Sequence, residues 1–293
     1  EMQRSLVGSE MCIRDSFCGG LTVEENRKRI DALMVSLGVA PSREKAKEMI
    51  KSGNVYLNGK VVSKAGLLAS DCDIIEYKGE SERYVSRGGL KLEKAVDVFK
   101  LDLNGYLCID IGASTGGFTD CMLQNGAKKV YAADSGSGQL SPKLKSDPRV
   151  IDLEKTNFRY ITEKEIPERA DFASADVSFI SLKYILPALS PLLKDGGSAV
   201  CLIKPQFEAG RENVGKKGVV KDPRVHIKVI KNVCSYAVQA GFSVSALDFS
   251  PVKGPEGNIE YLVYLKKDEV QSVSAPDVAG VVSAAHACFK AGE

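Results

Sequence analysis

Apolar residues between residues 28 and 52 recur at intervals of three and four. Ile30, Leu33, Met34 and Leu37 form one stripe, which predicts a helix from Lys28 to Leu37 stopped by Gly38. Ser42 is a good N-cap for a second helix, Arg43 to Ser52, with Ala46, Met49 and Ile50 on its apolar face. Lys45 stands where a capping box would need an acid. The pattern then alternates from Asn54 to Val62 around Asn58-Gly59, a strong hairpin signal, and a further strand is expected near Asp73 to Tyr77. Residues 21 to about 80 therefore read as a helix–helix–hairpin unit.

From about Tyr84 the periods of strand and helix alternate. Expected strands are Leu107–Ile111, Val130–Ala133, Val150–Asp152, Phe172–Ala175, Ser198–Ile203, Ser243–Phe249 and Ile259–Tyr264. Helices are expected at Gly89–Val98, Phe118–Asn125, Ile180–Leu193 and Pro223–Ala240. Such alternation predicts an α/β fold, a mostly parallel sheet covered on both faces. Only a short turn-rich segment, Pro251 to Asn258, joins the last two strands, so the sheet is expected to end with an antiparallel strand. Residues 268–293 read as a tail or terminal helix. Glu1 to Ser16 follows no sustained period and resembles translated adaptor text. Residues 1–20 are therefore expected to be non-native or disordered, with the native chain starting near Leu21.

Composition narrows the class. No apolar run approaches the ~20 residues of a membrane span. The net charge is only +2, so affinity for nucleic acid must come from a local basic patch. The eight cysteines form no Cys-x-x-Cys pair, and the two histidines, His226 and His286, lie far apart, so no metal site is expected. Together these describe a reduced, cytoplasmic protein.

The sharpest local feature is the run from Cys108 to Thr119, where a strand enters a glycine-rich turn and then a helix. Gly112, Gly116 and Gly117 would let the backbone approach a ligand, and such turns lie where open α/β sheets bind ligands. The run lacks the Gly-Lys-Ser/Thr ending of a phosphate loop and does not match Gly-x-Gly-x-x-Gly. Asp110 would repel a pyrophosphate but suits a cofactor with ammonium and sulfonium charge. Asp134, ending the next strand, fits ribose hydroxyls. A structural turn is the bland alternative. The two acids at strand ends favour a nucleoside cofactor.

Four charges interrupt apolar or turn contexts: Lys91, Asp176, Lys204 and Glu260. Each alone could be a surface charge, and an outward strand position is the plain alternative for Glu260. Asp176 and Lys204 end neighbouring strands, however, and so should face the same cleft as Asp110.

Several ordered motifs carry a family resemblance: Tyr84-Val85-Ser86-Arg87-Gly88-Gly89-Leu90-Lys91-Leu92, Asp110 to Thr119, Asp176 to Leu182, Lys204-Pro205-Gln206-Phe207-Glu208 and Gly257 to Tyr261. Residues 84 to 265 resemble FtsJ-type RNA methyltransferases, and residues 26 to 80 resemble the RNA-binding domain named for ribosomal protein S-four. The combination resembles the TlyA family of rRNA cytidine 2′-O-methyltransferases, often labelled hemolysin A. One segment departs from the pattern: Ser135 stands where an apolar residue is expected.

The resemblance implies a Rossmann-like methyltransferase sheet of seven strands, the last antiparallel, behind a small α+β S-four-like domain, with boundaries at 21–82 and 83–267. It implies S-adenosyl-L-methionine as cofactor, held by Asp110, Gly112, Ser114, Gly116, Gly117, Phe118, Thr119 and Asp134. It also implies a catalytic tetrad of Lys91, Asp176, Lys204 and Glu260. In that tetrad Lys204 would be base or oxyanion stabiliser at a ribose 2′-oxygen, with Asp176 and Glu260 orienting the lysines. Ribosomal RNA, from 16S and/or 23S, would be the partner, with no membrane and no metal.

Arg43, Lys47 and Lys51, spaced by four, share one helix face. With Arg29, Lys60 and Arg87 they are the expected RNA-phosphate contacts, and the loop Arg211 to Lys221 is a further RNA-side element. A solvated helix face is the bland alternative. Competing functions are a membrane-active hemolysin, an RNA-binding protein with an inactive catalytic domain, and 2′-O-methylation of another RNA.

Overall fold

The computed structural model describes residues 27–40, 42–70, 72–79, 83–268 and 276–290. The expectation for residues 1–20 lies outside these, as do residues 269–275 and 291–293 of the expected tail. The chain divides into two compact units between residues 81 and 82.

The N-terminal unit opens with β1 (Lys28–Arg29), α1 (Ile30–Ser36), α2 (Arg43–Lys51) and β2 (Val55–Leu57). It continues with β3 (Lys60–Val61), β4 (Leu68–Ala69) and β5 (Ile75–Tyr77). The first helix starts at Ile30, not Lys28, because Lys28 and Arg29 are extended and pair antiparallel with Ala69 and Leu68. Ser42 caps α2, its Oγ accepting from the Lys45 N–H at 3.2 Å. Asn58 and Gly59 both take positive φ, 49° and 77°, and turn β2 back into β3. Ile30, Leu33, Met34, Ala46, Ile50 and Val55 form the core of this unit.

In the second unit α3 (Gly88–Phe99) precedes β6 (Leu107–Ile111), α4 (Gly117–Gln124), β7 (Lys129–Ala133), α5 (Pro142–Lys145) and β8 (Val150–Leu153). Next come β9 (Ala170–Ala175), α6 (Leu186–Leu189), β10 (Leu193–Ile203), α7 (Pro205–Glu208), α8 (Pro223–Gln239), β11 (Ser243–Phe249), β12 (Tyr261–Lys266) and α9 (Val278–Lys290). Among the described residues seven strands form one sheet in the order β11-β12-β10-β9-β6-β7-β8. All pairs are parallel except those of β12, which is antiparallel to both β10 and β11. The last strand is antiparallel as expected, but it lies inside the sheet, and β11 forms the edge.

Alternation along the strands splits the core into two layers. Cys108, Val130, Phe172, Val200 and Leu262 pack with Leu92, Phe118 and Met122 on one face. Ile109, Tyr131, Ala173, Cys201 and Val263 pack with Val229, Ile230 and Val282 on the other. The expected helix Ile180–Leu193 is instead a 3-10 turn, the short α6 and a second 3-10 turn. Pro187 and Pro191 lack the N–H groups a continuous helix would use. Among the described residues no helix is long and apolar enough to cross a membrane.

Candidate active site

The chain runs outward from β6 to β8, then crosses back to β9 beside β6. The strand order therefore reverses between β6 and β9, where open α/β sheets form a crevice at their carboxyl ends. Four charged side chains from four elements meet there. Lys91 Nζ lies 2.8 Å from Glu260 Oε2 and 3.4 Å from Asp176 Oδ2. Lys204 Nζ lies 2.6 Å from Asp176 Oδ1 and donates to Ser178 Oγ at 3.0 Å. Charge alternates along the row Glu260, Lys91, Asp176, Lys204. The two lysines are 9% and 8% exposed and Glu260 only 1%, so Glu260 does not take the outward position that was its alternative. Burial alone would lower the Lys91 ammonium, but the Asp176 and Glu260 carboxylates outweigh it and hold Lys91 above the ordinary lysine value.

Local backbone explains the convergence. Lys91 stands in the first turn of α3, which approaches α4 closely. A Cβ on Gly117 would lie 2.3 Å from Ser86 Oγ and 2.8 Å from Gly89 N. Asp176 follows β9, and its N–H donates to Ile111 O at 2.9 Å. Gly112, at φ 82°, crosses directly over it: a Cβ there would lie 2.7 Å from Asp176 O. Lys204 follows β10 directly, just before Pro205 opens α7, and Glu260 immediately precedes β12.

The glycine-rich turn differs from its expected role in three places, Asp110, Thr119 and Gly116. Asp110 does not face the cleft. It shares the strand face of Cys108, is fully buried, and accepts from Thr119 Oγ1 at 2.7 Å and Ser174 Oγ at 3.0 Å. Thr119 is buried with it, so the pair ties β6 to α4 and β9 instead of touching a ligand. Gly116 lacks a Cβ because Leu140 and Leu144 pack there, and Gly117 because α3 does. Both glycines serve packing, although Gly117 also lines the cleft.

Burial raises the Asp110 carboxyl to about 6, against the opposing hydroxyl hydrogen bonds. The folded state thus holds a proton that the unfolded chain, at 3.8, has already released. Its stabilising effect is complete below pH ~4 and is lost as pH rises through ~6. Between pH 4 and 7, Asp110→Asn is expected to gain on the parent by up to about 3 kcal/mol in urea unfolding. Parallel pH profiles for the two proteins would contradict this.

Two cavities adjoin across Gly112, Ser114, Asp176 and Ser178. The first, about 440 Å³, is lined by the tetrad together with Arg87, Gly117 and Phe118. The second, about 410 Å³, is lined by Asp134, Ser135, Asn157, Phe158, Val177 and Ile180 among others. Asp134 braces the turn that divides them: its oxygens accept from the Ser114 and Gly136 N–H groups at 2.8 and 2.7 Å.

Several neighbours had no assigned role in the sequence. Ser178 holds Lys204, and Gln206 Nε2 reaches Glu260 Oε1 at 3.4 Å. Phe179 is 90% exposed, has φ 62°, and stands 4.9 Å from the Phe207 ring. His226 Nδ1 lies 2.6 Å from the hydroxyl of Tyr261, the residue after Glu260, while its Nε2 meets Val220 O at 2.9 Å. Burial pulls His226 below the ordinary histidine value, which favours the neutral ring. Nothing in local sequence pattern signals these partners except that Ser178, Phe179 and Gln206 flank tetrad members.

Of the expected phosphate contacts, Arg43, Lys51, Lys60 and Arg87 are exposed and Lys47 partly so. Arg29 and Arg43 both bond to the buried Asp31.

The FtsJ-like methyltransferase family matches residues 84–267, and the S4 domain matches residues 28–75. The chain is 48% identical over 269 residues to YqxC of Bacillus subtilis, covering 90% of this chain and 96% of that protein. It is 41% identical over 267 residues to the 16S/23S rRNA (cytidine-2′-O)-methyltransferase TlyA of Mycobacterium tuberculosis, covering 91% and 98%. A solved structure from Streptococcus thermophilus, bearing a hemolysin name, matches with a TM-score of 0.74 at 49% identity, covering 91% of this chain and 98% of that one.

Proposed function

This chain belongs to the FtsJ-like methyltransferase family, and we propose that it methylates the ribose 2′-oxygen of cytidines in 16S and/or 23S ribosomal RNA, using S-adenosyl-L-methionine. The observation that carries the reading is the alternating row of Glu260, Lys91, Asp176 and Lys204 at a strand-order crevice. In this reading residues 83–267 are the methyltransferase domain and residues 21–82 bind RNA, in the cytoplasm where ribosomes are made.

The second cavity suits the cofactor. Asp134 can accept from ribose hydroxyls, since each carboxylate oxygen has a further lone pair. Phe158, Val177 and Ile180 offer apolar walls to a base, and the Gly112–Ser114 turn leads into the tetrad cavity. When bound, S-adenosyl-L-methionine supplies a methyl group made electrophilic by its sulfonium.

A ribose hydroxyl is a weak nucleophile and must shed its proton as it reacts. Lys204 Nζ is the group that meets the 2′-oxygen, as proton acceptor or as donor to the developing oxyanion. Asp176 and Ser178 fix the Lys204 side chain. Lys91, kept charged by two carboxylates, locks Asp176 and Glu260 in place and steers the ribose. Phe179 presents an aromatic face beside Asp176 for a nucleobase. Base stacking contributes about 1–3 kcal/mol, so Phe179→Ala is expected to raise KM for RNA about tenfold. An unchanged KM for RNA would remove Phe179 from the substrate side.

The reading is tested by incubating the purified chain with methyl-labelled cofactor and each ribosomal subunit. Label in ribosomal RNA supports it, and label in neither subunit overturns it.

A further inference from the structure

The basic face of the N-terminal unit contains a carboxylate, a group that repels phosphate. Asp31, the second residue of α1, has no exposed surface. Its Oδ1 accepts from Arg29 Nε at 3.0 Å, and its Oδ2 accepts from both Arg29 Nη2 and Arg43 Nη2 at 3.1 Å. The two arginines come from different elements, β1 and the first position of α2, and each keeps half of its side chain exposed. Gly66 leaves room for Arg29 on the far side: a Cβ there would lie 3.4 Å from Arg29 Nη1.

We propose that Asp31 is a positioning residue that makes Arg29 and Arg43 a single fork for one RNA phosphodiester. This rests on the RNA-binding role assigned above to the same unit. Two guanidinium groups repel each other and, unrestrained, each would sample many rotamers. A shared acceptor oxygen brings them within two hydrogen-bond lengths and fixes their planes. Each guanidinium has five N–H donors, and Asp31 occupies two on Arg29 and one on Arg43. The remaining donors suit the two free oxygens of a phosphodiester, which arginines engage in paired hydrogen bonds. Because the carboxylate is buried, the ligand meets the guanidinium heads and not the acid.

The inference reverses the sign expected from charge alone. Asp31→Asn raises the net charge of the unit by one, which by simple electrostatics tightens RNA binding. If Asp31 positions the fork, the variant binds 16S and 23S ribosomal RNA transcripts about tenfold more weakly, despite its extra positive charge. Its slope of log affinity against log salt should also fall by about 0.7–0.9, the value for one lost phosphate contact.

Glu48→Gln makes the same charge change on the exposed side of α2 and is expected to bind as tightly as the parent or slightly tighter. Full-length protein is used throughout, with thermal unfolding recorded for each variant. Arg43→Lys decides the matter if Asp31→Asn does not fold, since it keeps the charge at an exposed position but removes the planar fork. It should lose affinity to a similar degree. A folded Asp31→Asn that binds as tightly as Glu48→Gln overturns the inference, and so does an Arg43→Lys protein with parental affinity. Failure of the parent itself to bind either transcript would instead overturn the RNA-binding reading.

Discussion

Lys204→Ala is expected to lower the rate of methyl transfer about a thousandfold while leaving cofactor binding within a few fold of the parent. The rate figure follows from the usual contribution of a positioned proton-transfer group, about 10²–10⁴-fold. Binding is spared because Lys204 does not itself line the second cavity and touches it only through Asp176 and Ser178, while Asp134, Phe158, Val177 and Ile180 make no bond to it. The fold is spared because Asp176 retains Lys91 at 3.4 Å. Lys204→Arg then separates the two roles open to the lysine. Arginine keeps a donor for an oxyanion but cannot act as a base. Substantial activity in Lys204→Arg would assign oxyanion stabilisation, and none would favour proton acceptance. Calorimetry with the cofactor and single-turnover transfer together read both effects. Transfer near the parental rate in Lys204→Ala would remove Lys204 from the reaction.

Gly112→Ala is expected to be nearly as damaging by a different route, with cofactor affinity and transfer falling together by about a hundredfold or more. An alanine at φ 82° carries left-handed strain of about 1–2 kcal/mol. The larger effect is steric. The new methyl would sit 2.7 Å from Asp176 O and 3.0 Å from Asp176 C, so either the turn or the end of β9 must move. Movement of β9 displaces Asp176 from the lysines, movement of the turn shifts Gly112 and Ser114 in the walls of both cavities, and a misplacement of about 1 Å can cost about a hundredfold. Gly105→Ala is the control: φ is 73° but nothing lies within 4 Å of the added carbon. It should lose stability through strain alone and keep parental kinetics. Equal kinetics in the two variants would show that the Gly112 contact with Asp176 does not matter.

The sequence was most legible where one residue type answers one local demand. Asn58-Gly59 marked a turn that needs two left-handed residues, and Ser42 marked a helix start. The short apolar runs located all seven strands of the larger sheet, because the central strands are buried on both faces. The tetrad residues stood out as charges at strand or helix ends, and the family resemblance joined them.

What stayed hidden depended on neighbours distant in sequence. Lys28 and Arg29 fit the first turn of the expected helix, and only pairing with Leu68–Ala69 draws them into a strand. The apolar spacing of residues 180–193 fits a helix that two prolines break. Asp110 was read as facing a ligand because strand ends usually do. Its carboxylate turns under α4 because Thr119 and Ser174 are there to bond it. Gly116 and Gly117 carry the same ambiguity, since a missing side chain does not say whether a ligand or a leucine fills the space. Asp31, one acid in an apolar helix stripe, gave no sign that two arginines would share it.

The most direct test is the chemical position of the transferred methyl group. Ribosomal subunits methylated by the purified protein with labelled cofactor are stripped to RNA and hydrolysed in alkali. A methyl on the 2′-oxygen blocks cleavage of the following linkage. Label is therefore expected in an alkali-stable dinucleotide that begins with cytidine, and is expected to be absent with Lys204→Ala. Label released in mononucleotides, which would place the methyl on a base, would contradict the proposed reaction.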